Sequence, residues 1–147
     1  MKERGAYYTP KAISDFLVNW GLKHTINPVN ILEPSCGDGV FLRSLCESLS
    51  SIEDPNVRIL AIEMNRTEAK KASTELKSLK KIPKIISKVV ASEYFGYMAT
   101  SIPLSKRKFN LILGNPPYIK QSKFVKGREQ AVSRMNELGL KINQQSN

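Results

Sequence analysis

From Val29 to Leu49 the chain passes through three patterns in quick succession. A short apolar run, Val29–Leu32, leads into the turn Glu33-Pro34-Ser35-Cys36-Gly37-Asp38-Gly39. A segment follows in which Phe41, Leu42, Leu45 and Leu49 recur at helical spacing. A strand that enters a helix through a glycine turn is half of a βαβ unit, and the pattern recurs downstream. Val57–Ile62 reads as a second strand, ending in Glu63, and residues 67–79 as a charged helix. Lys84–Val90 and Phe109–Leu113 read as third and fourth strands, the last running straight into Gly114-Asn115-Pro116-Pro117-Tyr118. Strands alternating with helices predict an α/β fold with a doubly wound parallel sheet. Ligands in such sheets bind outside the carboxyl ends of the strands, where the unusual residues of this chain lie.

Upstream, Thr9-Pro10 predicts a helix start, with a hydroxyl cap and a proline where no N–H is needed. Ile13, Phe16, Leu17 and Trp20 then form one apolar stripe, with Gly21 and Pro28 bracketing the end. A length of 147 residues bounds the chain to one domain. Three parts are expected within it: 1–28, 29–118 and a basic segment over 119–147, with a helix over about 126–138. No apolar run reaches the ~18 residues of a membrane span, and MKERGAYYTP lacks the apolar stretch of a signal peptide. The expected place is the cytoplasm, with no membrane partner. Cys36, Cys46 and His24 do not make a zinc signature, so no metal is expected.

The net charge is +10. Residues 66–88 hold eight basic against two acidic side chains, and 120–147 hold six against two. The first cluster reads as a solvated helix face. The second follows the most unusual turn of the chain and reads as a phosphate-contacting surface.

The glycine turn lets backbone approach a ligand closely and adopt positive φ. It is neither a phosphate-binding P-loop nor G-x-G-x-x-G. Glu63, some twenty-odd residues on, suits a ribose diol, since a carboxylate accepts two hydroxyl hydrogen bonds. The turn Asn115–Tyr118 is the sharpest signal. An exocyclic amine on adenine is a poor nucleophile because its lone pair is delocalised into the ring. Asn115 and the carbonyl of Pro116 can accept its two N–H bonds, with Pro116 and Pro117 stiffening the turn. Tyr118 offers a face on which a flipped base can stack.

With these residues in place, the chain resembles the amino-terminal part of adenine-specific DNA methyltransferases of the restriction-modification class. GAYYTP (5–10), LEPSCGDGVFL (32–42), AIEMN (61–65) and LGNPPY (113–118) occur in that family's order. The resemblance implies S-adenosyl-L-methionine as cofactor and a target adenine flipped out of double-stranded DNA. It implies a pocket lined by Thr9, Glu33, Ser35 and Gly37, with Glu63 on the ribose and Met64 on the cofactor's adenine. Asn115, Pro116, Pro117 and Tyr118 would form the catalytic turn. Where the family has aspartate after its third strand, Glu93 stands here, as the match for a contact to the cofactor's adenine. The family's sheet has seven strands and only four are legible here. The resemblance therefore implies an incomplete sheet, read as a truncated product or as one half of a split enzyme whose second chain supplies the missing strands. Glutamine and RNA-guanine methyltransferases share an NPPY-like turn but usually lack YYTP. A remnant that binds cofactor weakly is the remaining alternative.

Overall fold

The computed structural model describes residues 8–101 and 108–116, together with 129, 132, 133 and 136. Among these residues four strands form one parallel sheet in the order β3-β2-β1-β4, with β1 at Val29–Glu33, β2 at Val57–Glu63, β3 at Ile85–Ala91 and β4 at Leu111–Ile112. Val29 pairs with Val57 and Glu33 with Ala61, while Leu32 pairs with Ile112, so the carboxyl ends of β1, β2 and β4 come out side by side. The order reverses at β1, which places the glycine turn at the switch point of the sheet.

Helices α1 (Lys11–Lys23), α2 (Val40–Ser50) and α3 (Arg66–Glu75) accompany the strands, and a 3-10 turn spans Leu79–Lys81. The main core lies between sheet and helices, with Ile31, Leu42, Leu45, Leu49, Val57 and Leu76 at its centre. All four residues expected on the inner face of α2 are buried. α3 is shorter than its charge pattern predicts. It starts on Asn65, whose side chain accepts from the N–H groups of Thr67 and Glu68, and it gives way to the 3-10 turn after Glu75.

Helix α1 differs from expectation in two ways. It is capped by Pro10, with no side-chain cap bond, so the Thr9 hydroxyl is free for another partner. Its apolar stripe also faces outward: Phe16 is 67% and Trp20 57% exposed, and Ile13 and Leu17 are exposed with them. The inner face consists of Ser14, Val18 and Gly21. Small side chains let α1 lie close to its neighbours. The Ser14 and Ser44 hydroxyls meet at 2.8 Å, and a Cβ on Gly21 would come 2.9 Å from Cδ1 of Leu111. Gly21 is thus a contact inside α1 rather than its terminator.

On the other face of the sheet, α4 (Tyr94–Ser101) covers Leu32 and Ile62 with Met98, Tyr94 and Tyr97. No helix is legible there from the sequence pattern. The helix expected over about 126–138 lies, apart from 129, 132, 133 and 136, outside the described residues, as do Gly5–Tyr7, Pro117 and Tyr118. No helix among the described residues is long and apolar enough to cross a membrane.

Candidate active site

Gly37 and Gly39 take φ of +53° and +94°, the left-handed region that other residues rarely adopt. They serve different ends. A Cβ on Gly39 would meet the backbone Cα of Ala72 at 2.9 Å, so this glycine lets α2 start against α3. A Cβ on Gly37 would meet nothing within 4 Å: its backbone faces open space at the mouth of a pocket.

The turn is tied to β2 by two bonds. The N–H of Cys36 donates to the carbonyl of Ile62 at 2.9 Å, and the N–H of Gly37 donates to Glu63 Oε2 at 2.9 Å. Glu63 Oε1 accepts from the N–H of Asn65 at 2.7 Å. The carboxylate is therefore held at both oxygens, each with a further lone pair to offer. Met64, beside it, is 70% exposed. The N–H of Ser92 donates to the carbonyl of Glu63, bringing the end of β3 to the same corner.

The pocket is lined by the turn (Ser35 to Asp38), by Glu33, Val40 and Phe41, by Tyr8 and Thr9, and by Asn115. Glu33 forms its floor at 1% exposed, and neither its Oε2 nor the Oγ of Ser35 has a hydrogen-bond partner. Burial pushes the Glu33 carboxyl up to about 8, and the charges of Asp38 and Glu63 add to the shift. The Cys36 thiol is also pushed upward, mainly by burial, which keeps it an inert thiol. Two orphaned polar atoms, an acidic floor and an open glycine edge suit a polar ligand that carries positive charge. The charge and hydroxyls of S-adenosylmethionine match that donor set.

The exit of β4 leans on the turn. A Cβ on Gly114 would lie 3.4 Å from Cδ of Pro34, and Asn115 Nδ2 donates to Thr9 Oγ1 at 3.3 Å. That bond spans 106 residues and joins the N-terminal motif to the Asn-Pro turn over one pocket. With Nδ2 so engaged, the amide oxygen of Asn115 remains an acceptor for another group.

The sequence-predicted residues thus fall into three groups. Thr9, Glu33, Ser35, Gly37 and Asn115 surround the pocket, and Glu63 is bonded to it through Gly37. Pro116 is exposed beside Asn115, while Pro117 and Tyr118 lie outside the described residues. Glu93 stands apart from the lining: its two oxygens accept from the N–H groups of Phe95 and Gly96 at 2.9 and 2.6 Å, capping α4. Asp38 is a lining residue that was not singled out from the sequence, although its place between two glycines was visible. Among the described residues of the 66–88 cluster, Lys71 pairs with Glu68 and Lys84 with Asp54, as on a solvated face.

An open parallel sheet with a glycine turn at its switch point and an acid at the next strand end defines a Rossmann-like nucleoside-binding fold. Solved structures agree on the fold. A protein from Listeria monocytogenes assigned to the class I S-adenosylmethionine-dependent methyltransferases superposes with a TM-score of 0.59 at 17% identity, covering 84% of this chain and 36% of that one. The type I restriction-modification system methyltransferase subunit from Streptococcus thermophilus gives 0.54 at 17%, covering 82% and 26%. The chain belongs to the N-6 DNA methylase family, whose model matches residues 1–147. It is 31% identical over 120 residues to the type II methyltransferase M.CvrRI of Paramecium bursaria Chlorella virus XZ-6E, covering 80% of this chain and 26% of that protein. The chain therefore spans about a quarter of the length of the curated relative it matches.

Proposed function

We propose that this chain forms the cofactor-binding and catalytic-turn portion of an enzyme that methylates the N6 amino group of adenine in DNA. S-adenosylmethionine, when bound, supplies the methyl group as a sulfonium. The chain's residues do the rest. The Glu63 carboxylate accepts the ribose hydroxyls with its remaining lone pairs, and Met64 covers the cofactor's adenine. Thr9, Glu33, Ser35 and Gly37 line the pocket that receives the cofactor. Glu93, through the α4 start that it caps, shapes the far side of the adenine pocket. Asn115 Oδ1 and the Pro116 carbonyl accept the N–H bonds of the target amine and localise its lone pair, with Pro117 stiffening the turn and Tyr118 stacking on the flipped base. The observation that carries this reading is the bond between Thr9 and Asn115 over a pocket floored by Glu33. It brings three motifs, distant in sequence, to one place.

The substrate is double-stranded DNA, and the basic residues beyond Tyr118 contact its phosphates. The enzyme works in the cytoplasm, beside that DNA. Ile112 of β4 is 63% exposed, and among the described residues nothing pairs the outer edge of β4. Such an apolar edge is a liability unless covered. In the working enzyme it is paired by further methyltransferase polypeptide, in the same chain or a second one.

The interaction at Asn115 strengthens as positive charge develops on the amine, so it acts in the transition state more than in the ground state. In an enzyme carrying all its strands, Asn115→Ala should lower turnover by roughly 100- to 1,000-fold, with cofactor affinity little changed. Tritiated methyl transfer to adenine-containing duplexes measures this. Near-normal turnover in the variant would remove the mechanism.

A further inference from the structure

The floor of the pocket is an isolated acid. Glu33 sits at the end of β1, 1% exposed, with Oε2 unpaired. Among the described residues, the charges that bear on it are both negative: Asp38 from the glycine turn and Glu63 from the end of β2. From the segment before α1 come Tyr8 and Thr9, and from the exit of β4 comes Asn115, none of them cationic. Two cations of the flanking helices are engaged by other acids. Arg43 of α2 pairs with Glu75, and Lys71 of α3 with Glu68. A carboxylate in this position has little solvent and, among the described residues, no countercharge, so the empty pocket favours the neutral carboxyl. A ligand carrying net positive charge reverses that balance.

We propose that Glu33 is the charge sensor of the pocket: it is protonated in the empty protein and releases its proton to solvent when a cofactor of net positive charge enters. The cationic methyl donor is thereby held more tightly than its demethylated, uncharged-sulfur product. The inference rests on the reading of the pocket as an S-adenosylmethionine site, and it adds a specificity device to that site. The balance is simple. One O–H bond of Glu33 breaks, the proton passes to buffer, and the resulting carboxylate faces the incoming cation. After methyl transfer the sulfur has lost its charge, Glu33 takes a proton back, and the product is held less firmly.

Two consequences follow in sign and size. Below about pH 8 the carboxyl is largely neutral, and the form that binds the cation well is the minor one. Affinity for S-adenosylmethionine relative to S-adenosylhomocysteine should therefore rise about tenfold from pH 7 to pH 9, as the competent fraction rises. The sulfonium lowers the pKa of the ammonium of S-adenosylmethionine relative to that of S-adenosylhomocysteine, so each free ligand is titrated separately and its own contribution is divided out of the ratio.

The test is titration calorimetry of the protein with each ligand at pH 7, in buffers of differing ionisation enthalpy, which counts the protons released. Close to one proton per S-adenosylmethionine and well under half a proton per S-adenosylhomocysteine is the expected result. Glu33→Gln, which keeps the neutral shape that the empty pocket already holds, should abolish the difference in proton release and flatten the pH dependence of the affinity ratio. Circular dichroism verifies that the variant is folded. If both ligands bind the wild type but release equal numbers of protons, or if E33Q leaves the difference unchanged, the sensor is wrong while the cofactor reading stands. If neither ligand binds, the cofactor reading falls and the sensor with it.

Discussion

Glu33 also couples the pocket to the stability of the fold. Its carboxyl ionises near its ordinary value of 4.5 in the unfolded chain and at about 8 in the folded one. The folded state thus holds one more proton across that window. The contribution to stability is complete below about pH 4.5 and is lost as pH rises towards 8, on the order of 1.4 kcal/mol per pH unit. Denaturant unfolding of the empty protein at pH 5, 6.5 and 8 should show stability falling by a few kcal/mol, and Glu33→Gln should remove most of that fall. A wild type and variant with parallel pH profiles would mean that Glu33 is not buried neutral. The sequence showed an acid before a glycine turn, which suits a pocket. It did not show that both neighbouring charges are acidic, because Glu63 lies 30 residues away and meets the turn only through β-sheet register. The same limit applies to Glu93. Its match to a cofactor contact came from motif order, whereas its carboxylate caps α4, a role that depends on a helix not legible in Tyr94–Ser101.

At the level of elements, strands and α2 were legible because each is specified by its own neighbours: apolar runs ending in turn residues, and an apolar repeat on one side. α1 was legible as a helix but not in its orientation. Its stripe of Ile13, Phe16, Leu17 and Trp20 has the strongest helical period in that region, yet the small residues Ser14, Val18 and Gly21 face inward. Periodicity reports an apolar face and does not say what meets it. Close packing on α2 and β4 selects the smaller side chains, and the larger ones are left for other contacts. The two packing glycines separate these effects. Gly39→Ala places a methyl against the backbone of Ala72 in a left-handed conformation, and it should cost roughly 1–3 kcal/mol or more. Gly21→Ala meets only the tip of the Leu111 side chain, which can turn aside, and it gains up to about 1 kcal/mol of helix propensity. Thermal unfolding should rank Gly39→Ala well below wild type and Gly21→Ala close to it. Equal losses would show that the α2–α3 approach is not the tight one.

Over the whole molecule, the site is a product of strand order. β1, flanked by β2 and β4, brings Glu33, Glu63 and Asn115 to one end of the sheet. The parallel α/β class and the strand-end location were legible from alternation alone. The Thr9–Asn115 bond was not, since residues 106 apart meet only once β4 has paired with β1. The central claim is that this assembly is a cofactor site, and Glu63 is its keystone, bonded to Gly37 and Asn65 and poised for two more hydrogen bonds. Calorimetry with S-adenosylhomocysteine on wild type and Glu63→Ala tests it most directly. The account predicts binding by the wild type and a loss of about 2–4 kcal/mol in the variant. Equal affinities, or a folded wild type that binds no cofactor, would contradict it.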